Sequence, residues 1–177
     1  TYADKVINHI PPRQGRRHLR VILEQLEAAA PERETNLAAT FHELAETMKR
    51  RALVVILSDL FSAGDAGELV EAISHLRHKK HEVIVMHLLD QAELTFPFDD
   101  ATEIEDIETG SRVQADASLL RAHYLYKLND YIHTVRAGCL THGVGYTLGD
   151  TSQPFDLFLG SYLARRLQQS TAQLRGA

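Results

Sequence analysis

The chain has 177 residues, of which 44% are hydrophobic and 24% charged, and its net charge is −5. A chain of this length buries roughly 70% of the surface that it exposes when unfolded, which is enough for one domain without metal or disulfide cross-links. The mild acidity disfavours a general nucleic-acid binder, since such proteins need a positive face. The sequence has no apolar run of about 18 residues, so we expect no membrane insertion.

The cysteine content and the first residues are also informative. Cys139 is the single cysteine, which excludes an internal disulfide and fits a reducing compartment, so we expect a cytoplasmic location. The chain begins with Thr1, without a Met or a signal sequence. We therefore expect it to be a fragment of a longer domain.

The first third of the chain predicts one short strand and two helices. Lys5 to Ile10 alternates partly and is closed by two prolines, which is typical of an edge or hairpin strand. Helical spacing predicts a first amphipathic helix that Pro31 ends, with Leu19, Ile22, Leu23, Leu26 and Ala30 on one side. A second helix, capped by Thr35 or Asn36, would bury Leu37, Phe41, Leu44, Ala45 and Met48.

The middle of the chain indicates parallel strands joined by a helix. Leu53 to Leu57 is an uninterrupted apolar run with β-branched residues at its centre and apolar side chains on both faces, which predicts a central strand. A helix from about Glu68 to His78 leads to a second strand, Val83 to Leu89. Turn residues inside 102–116 predict a small hairpin insert.

The last third predicts a long helix, a third parallel strand and a final helix. The long helix runs from Ser118 to Thr141 with Cys139 in its buried stripe, and the strand is Val144 to Leu148. The final helix starts near Pro154 and would direct inward Phe155, Phe158, Leu159 and Tyr162. Residues 169–177 are expected to form a frayed tail. Together these elements predict a single α/β domain over 1–177, with a mainly parallel sheet and helices on both faces.

An aspartate follows each of the three predicted parallel strands: Asp59, Asp90 and Asp150. The carboxyl ends of parallel strands share one edge of a sheet, where ligands bind in open α/β folds. Aspartate also caps helices and turns, and we favour that role for Asp90 and Asp150. Asp59 is the better binding candidate, because it follows what we expect to be the most buried strand and Ser58 precedes it as a second oxygen ligand.

Other chemical patterns are weaker. His75, His78 and His81 could gather Zn²⁺, but the lysines and arginine between them favour a solvated helix end. The arginines from Arg13 to Arg20 could contact an acidic partner, although we favour a solubilising role. The sequence has no Walker A motif, dinucleotide-binding glycine pattern or nucleophile elbow, so we expect no enzyme.

Three segments in order along the chain resemble the domain of unknown function 58 family. They are 51–61, the pair 76–85 and 89–98, and the close 148–155, which begins Leu148-Gly149-Asp150. Members of this family are similar to von Willebrand factor A domains, and bacterial members often accompany MoxR-type AAA+ ATPases. The resemblance implies a Rossmann-type fold that is truncated at its N-terminus in this chain.

The same resemblance implies a metal ion-dependent adhesion site at the strand carboxyl edge. Such sites hold Mg²⁺ or Mn²⁺ with an Asp-x-Ser-x-Ser motif, a threonine and an aspartate. Thr35 and Asp59 fall at the last two positions, whereas the motif itself is absent from the chain. The resemblance thus implies an incomplete site, with the metal bound in the intact protein and none on this fragment. It also implies a missing central strand, so we expect self-association through an exposed strand edge.

Two functions remain open from the sequence. The first is a non-enzymatic protein–protein interaction module, metal-dependent in the intact protein, with a MoxR-type ATPase as the implied partner. The alternative is a metal-dependent hydrolase that uses Asp59, Asp90 and Asp150 to hold the ion that activates water. We favour the first, because no candidate general base or anion cradle accompanies the carboxylates.

Overall fold

The computed structural model of the chain describes residues 10–11, 13–28, 36–61, 65–98, 101–105 and 112–175. Within these residues the elements follow in the order α1 Arg16–Glu27, α2 Leu37–Thr47, β1 Leu53–Ser58, α3 Ala66–His78, β2 Glu82–Leu89, α4 Gln91–Thr95, β3 Ala101–Glu105, β4 Arg112–Asp116, α5 Ala117–Thr141, β5 Gly145–Asp150 and α6 Phe155–Arg175. The predicted strand Lys5 to Ile10 lies, except for Ile10, outside the described residues.

The described strands form a parallel sheet and a separate ribbon. The sheet has the order β1-β2-β5, with Val54 opposite Val83 and Val85 opposite Tyr146. Strands β3 and β4 pair antiparallel, as predicted for the hairpin insert. The mixed α/β class with a parallel sheet is thereby confirmed.

The centre of the sheet differs from the prediction. Strand β2 is buried along nearly its whole length and lies between the two others. Strand β1 pairs only with β2 in the described sheet, and Leu53, Val55 and Leu57 are 55%, 41% and 60% exposed. The expectation of a central, most buried β1 is therefore wrong for this sheet. A run of apolar residues looks the same whether its second face is covered or open, so the sequence could not show whether both faces of β1 are buried.

Helices α2, α3 and α5 cover one face of the sheet. The Asn36 side chain caps α2 by accepting the Ala39 N–H at 3.0 Å, and Asp65 caps α3 by accepting the Glu68 N–H at 2.9 Å. The buried cluster below them contains Leu37, Phe41, Ala45, Val54, Ile56, Leu69, Ile73, Leu76, Val83, Val85, Val135 and Cys139. Cys139 is 1% exposed, which confirms its predicted place in the core.

Helix α6 lies on the opposite face, over β2 and β5. Gly149 leaves room for the Phe158 ring, and Gly145 lies beside the Tyr162 hydroxyl. Phe155 and Leu159 are 81% and 40% exposed, so the prediction that they point inward is wrong. Among the described side chains of α6, Phe158 and Tyr162 contact the sheet beside these two glycines. The helix continues to Arg175, through part of the stretch predicted to fray.

Helix α1 forms where the sequence predicts it, but its apolar side is open. Leu19, Leu23 and Leu26 are 57%, 51% and 56% exposed, and α1 buries no residue among those described. Its arginines are solvated, and Arg20 pairs with Glu24 at 3.5 Å on the surface. Among the described residues, no helix is long and apolar enough to cross a membrane.

Two glycines in helices give a matched test of the packing. A Cβ at Gly138 of α5 would lie 2.5 Å and 2.6 Å from the two γ-carbons of Val70 on α3, whereas a Cβ at Gly160 of α6 would meet nothing within 4 Å. We expect Gly138→Ala to lower the free energy of unfolding by about 1–3 kcal/mol through overpacking. Gly160→Ala should raise it by about 0.5–1 kcal/mol. Urea denaturation of both variants checks this; equal effects would contradict the close α3–α5 contact.

Candidate functional site at the carboxyl edge of the sheet

The carboxyl ends of β1, β2 and β5 bring three of the predicted site regions to one edge. Ser58 and Asp59 follow β1, Asp90 follows β2, and Asp150 ends β5 beside Leu89. Thr35, the other residue predicted to bind metal, lies outside the described residues. The described part of the candidate site is therefore the edge formed by these four residues and the loop after β1.

Two side-chain hydrogen bonds to backbone N–H groups hold the loop after β1 in a fixed turn. The Ser58 hydroxyl accepts the Leu60 N–H at 3.0 Å, and Oδ1 of Asp59 accepts the Phe61 N–H at 3.1 Å. Leu60 is fully buried and has a positive φ of 58°, so the chain turns back sharply at this point. This turn leaves Asp59 exposed to solvent at the edge.

Tyr131 of α5 anchors the same loop from below. Its hydroxyl donates to the Leu60 carbonyl at 2.6 Å, and its ring stacks on Phe61 with the ring centroids 6.5 Å apart. Burial, with a smaller contribution from the Asp59 charge, raises the pKa of Tyr131 to about 12. The phenol therefore stays protonated at neutral pH and keeps donating this hydrogen bond.

Asp90 and Asp150 have the capping roles that we favour from the sequence. Asp90 accepts the Ala92 N–H at 2.8 Å and forms a capping box with Glu93 at the start of α4. Asp150 accepts the Ser152 N–H at 2.8 Å. The Thr151 hydroxyl donates to Asp90 at 3.2 Å and links the two loops. Both carboxylates thus organise their own turns.

The oxygen ligands at this edge suit a hard cation, but the described set is small. Carboxylate and hydroxyl oxygens are the ligands that Mg²⁺ prefers, and Asp59 and Ser58 supply them. In the described part of the chain, no three His, Cys, Asp or Glu side chains lie together as a metal site would need.

A buried histidine, which the sequence analysis missed, lies close to the Asp59 loop. His87 of β2 is 0% exposed, and its Nδ1 lies 2.8 Å from the Tyr146 hydroxyl. Its Nε2 has no hydrogen-bond partner among the described residues. Burial lowers the pKa of His87, and Asp59 offsets part of this shift. The signal that could have found it was a single polar residue inside the apolar run Val83 to Leu89.

A cavity of about 600 Å³ opens between α3 and α5, next to this loop. Its wall combines apolar and charged side chains, namely Phe61, Asp65, Tyr124, Lys127, Asp130 and Tyr131. Phe61 is 41% exposed and joins the cavity to the loop that carries Asp59. The edge therefore presents a carboxylate beside an aromatic pocket.

The three histidines considered for zinc point to different neighbours. His75 lies 2.9 Å from His42 and 3.0 Å from Glu46, and the exposed His78 packs against His142. His81 is only 1% exposed, and its Nδ1 accepts the Ala52 N–H at 3.2 Å. The favoured view of a wholly solvated helix end is thus wrong for His81, because the chain turns inward there to start β2.

The buried His87 predicts an acid-sensitive fold. An unfolded histidine titrates near pH 6.5. Because the pKa of His87 is lowered on folding, the unfolded chain takes up a proton first as the pH falls, and stability is lost below that value. This loss is at most about 1.4 kcal/mol per pH unit for one group. Chemical denaturation at about pH 7.5 and about pH 5.5 should show a smaller loss for His87→Asn than for the wild type.

The exposed His133 of α5 provides the control for this measurement. His133→Asn should keep the pH dependence of the wild type, because its ring is solvated in both states. An unchanged pH dependence in His87→Asn would contradict the lowered pKa, whatever the absolute stability of that variant.

Comparisons with known proteins place the chain in a family without assigning an activity. The family model described as "Protein of unknown function DUF58" matches residues 1–131. No curated protein and no solved structure gives a significant match. Since the family match covers well over half of the 177 residues, the chain belongs to the DUF58 family.

Proposed function

We propose that this protein is a non-enzymatic protein–protein interaction module that binds its partner at the carboxyl edge of the sheet. The observation that carries the proposal is the exposed Asp59 on a fixed loop, directly beside the cavity that Phe61 and Tyr131 line. A rigid loop loses little conformational entropy when a partner binds. We place this activity in the cytoplasm, where a single reduced cysteine such as Cys139 is stable.

The chemistry of the cavity suits a partner's side chains. Aromatic residues are enriched at the energetic centres of protein interfaces, and Phe61 and Tyr131 form such a centre here. Lys127 and Asp130 of α5, together with Asp65 at the start of α3, provide charges of both signs at the rim. Such a rim selects partners by charge complementarity.

We further propose a von Willebrand A-like role for a divalent ion at this edge. Asp59 would contact Mg²⁺ or Mn²⁺ mainly through water, Thr35 would bind it directly, and Ser58 would shape the loop. The ion would offer an open coordination position to a carboxylate of the partner. A hard, hydrated ion with few protein ligands fits this role.

The hydrolase alternative has less support. It needs Asp59, Asp90 and Asp150 to share one ion, whereas Asp90 and Asp150 cap their own turns. His87, whose pKa Asp59 influences, is fully buried and hydrogen-bonded to Tyr146. Neither arrangement favours activation of a water molecule.

Partner capture tests the interaction proposal. The purified protein at its natural full length is immobilised and offered a MoxR-type AAA+ ATPase, the partner class that the family resemblance implies, in Mg²⁺ and in chelator. We expect capture in Mg²⁺ and a loss of about tenfold or more in Asp59→Ala, Thr35→Ala and Phe61→Ala, as for central interface residues.

Glu71→Ala is the control, because it removes an exposed carboxylate from the middle of α3, away from the loop. It should leave capture unchanged. If capture is the same in Mg²⁺ and in chelator, and is unchanged in Asp59→Ala and Thr35→Ala, the coordination model is refuted. Capture that also survives Phe61→Ala would refute this edge as the contact site.

We also propose that the open side of β1 mediates association of this 177-residue chain. In the described sheet, the outer edge of β1 has unpaired backbone groups, and Leu53, Val55 and Leu57 add exposed apolar surface. Unpaired, apolar strand edges pair readily with a second chain.

Light scattering tests this association. The wild-type chain should show a mass at least twice that of the 19.9 kDa monomer, and Leu57→Lys should shift it towards the monomer, because a charge at the edge opposes pairing. Leu119→Lys, which alters another exposed leucine, on α5, should leave the mass unchanged. A wild-type monomer at high concentration would overturn the proposal.

A further inference from the structure

A second cavity, of about 660 Å³, lies at the opposite edge of the sheet, where the strands begin. Its floor is formed by the starts of β2 and β5, with Glu82, Val83 and Gly145. Four arginines surround it: Arg51 before β1, Arg77 of α3, and Arg165 and Arg166 of α6. We call this cavity the arginine pocket.

The charge of the arginine pocket contrasts with that of the chain. Among the described residues that line the pocket are four arginines and one carboxylate, that of Glu82, although the chain as a whole carries a net charge of −5. Like charges held together cost free energy unless solvent or an anion compensates them. A concentration of positive charge in a concave site is therefore suited to an anionic ligand.

Hydrogen bonds to the protein hold three of these arginines in place. Arg77 donates to the His81 carbonyl at 3.2 Å, and Arg165 donates to the Thr147 hydroxyl at 3.1 Å. Arg166 donates to the Tyr162 hydroxyl at 3.2 Å and pairs with Glu82. Each guanidinium has five N–H donors, so most of them remain for a ligand.

Arg51 differs from the other three. It is exposed and makes no hydrogen bond or ion pair within the described part of the chain, although it lines the pocket. Its side chain can thus be replaced without loss of a contact to any described residue. This makes Arg51 a direct probe of ligand binding.

We infer that the arginine pocket binds a small molecule that carries two or more phosphate groups. Planar guanidinium groups match phosphate oxygens in pairs. One phosphate carries a charge of about −1.5 to −2, which is too little to balance the excess of three arginines over carboxylates in the described lining (four arginines less Glu82). The volume of about 660 Å³ also lies within the usual range for small-molecule sites. This site is separate from the carboxyl edge, so its test is independent of the proposed interaction function.

Isothermal titration calorimetry at low salt tests the inference with three probes: inorganic phosphate, pyrophosphate and ATP. We expect pyrophosphate to bind more tightly than phosphate, with an affinity that falls as salt rises. If ATP binds more tightly than pyrophosphate, the ligand is a nucleotide. If the two bind with equal affinity, the pocket recognises the phosphate groups alone. No binding of pyrophosphate or ATP by the wild type at low salt would overturn the inference.

Three variants locate the binding. Arg165→Gln and Arg51→Gln should each raise the Kd of pyrophosphate by about tenfold or more, as expected for a charged hydrogen bond. Arg17→Gln removes the same charge from exposed α1 and should leave the Kd unchanged. Because Arg51 supports no described contact, its variant separates lost binding from lost folding. An equal effect of Arg17→Gln, or no effect of Arg51→Gln and Arg165→Gln, would overturn the assignment.

Discussion

The burial of β2 on both faces is the constraint on which the other described elements depend. Val83 and Val85 face the core below α2, α3 and α5, while Ile84 and Met86 are buried on the side of α6. A parallel strand needs helices on both faces to exclude water. The two helical layers therefore take their positions from this one strand, and β1 and β5 flank it.

That arrangement also separates two chemical environments. The carboxyl ends of the strands place Ser58, Asp59, Asp90 and Asp150 at one edge, and the amino ends place four arginines around the opposite cavity. Both follow from the parallel direction of the strands, because every strand begins at one edge and ends at the other. The modest net charge of the chain conceals this separation.

Much of the fold could be predicted from the sequence, because its pattern is local. The stripe Leu37, Phe41 and Ala45 has helical spacing and is buried as expected, and β2 and β5 form at the predicted places with ends that differ by one or two residues. Strand order is not local. The apolar residues Leu53, Val55 and Leu57 would suit a central strand as well as an edge strand. In the described sheet, however, β1 pairs with β2 alone, and these three side chains are exposed.

The candidate site was predictable to a similar extent. Strand-ending aspartates identified the edge, and capping propensity predicted the roles of Asp90 and Asp150. Tyr131 and His87 were not found, because both act across large sequence distances. Tyr131 reaches Leu60 from the long α5 helix, and His87 meets Tyr146 from a neighbouring strand. No spacing rule links such pairs before the sheet is assembled.

Cys139 offers a chemical probe of the hydrophobic core, where intrinsic fluorescence is a poor one. The chain has no tryptophan, so its intrinsic fluorescence reports little on packing. Cys139 lies on the buried side of α5, and this burial raises the pKa of its thiol to about 12. The thiol is therefore protonated and shielded at neutral pH. Alkylation at this atom requires the core around α5 to open. The rate of thiol modification therefore measures how often the folded protein exposes its interior.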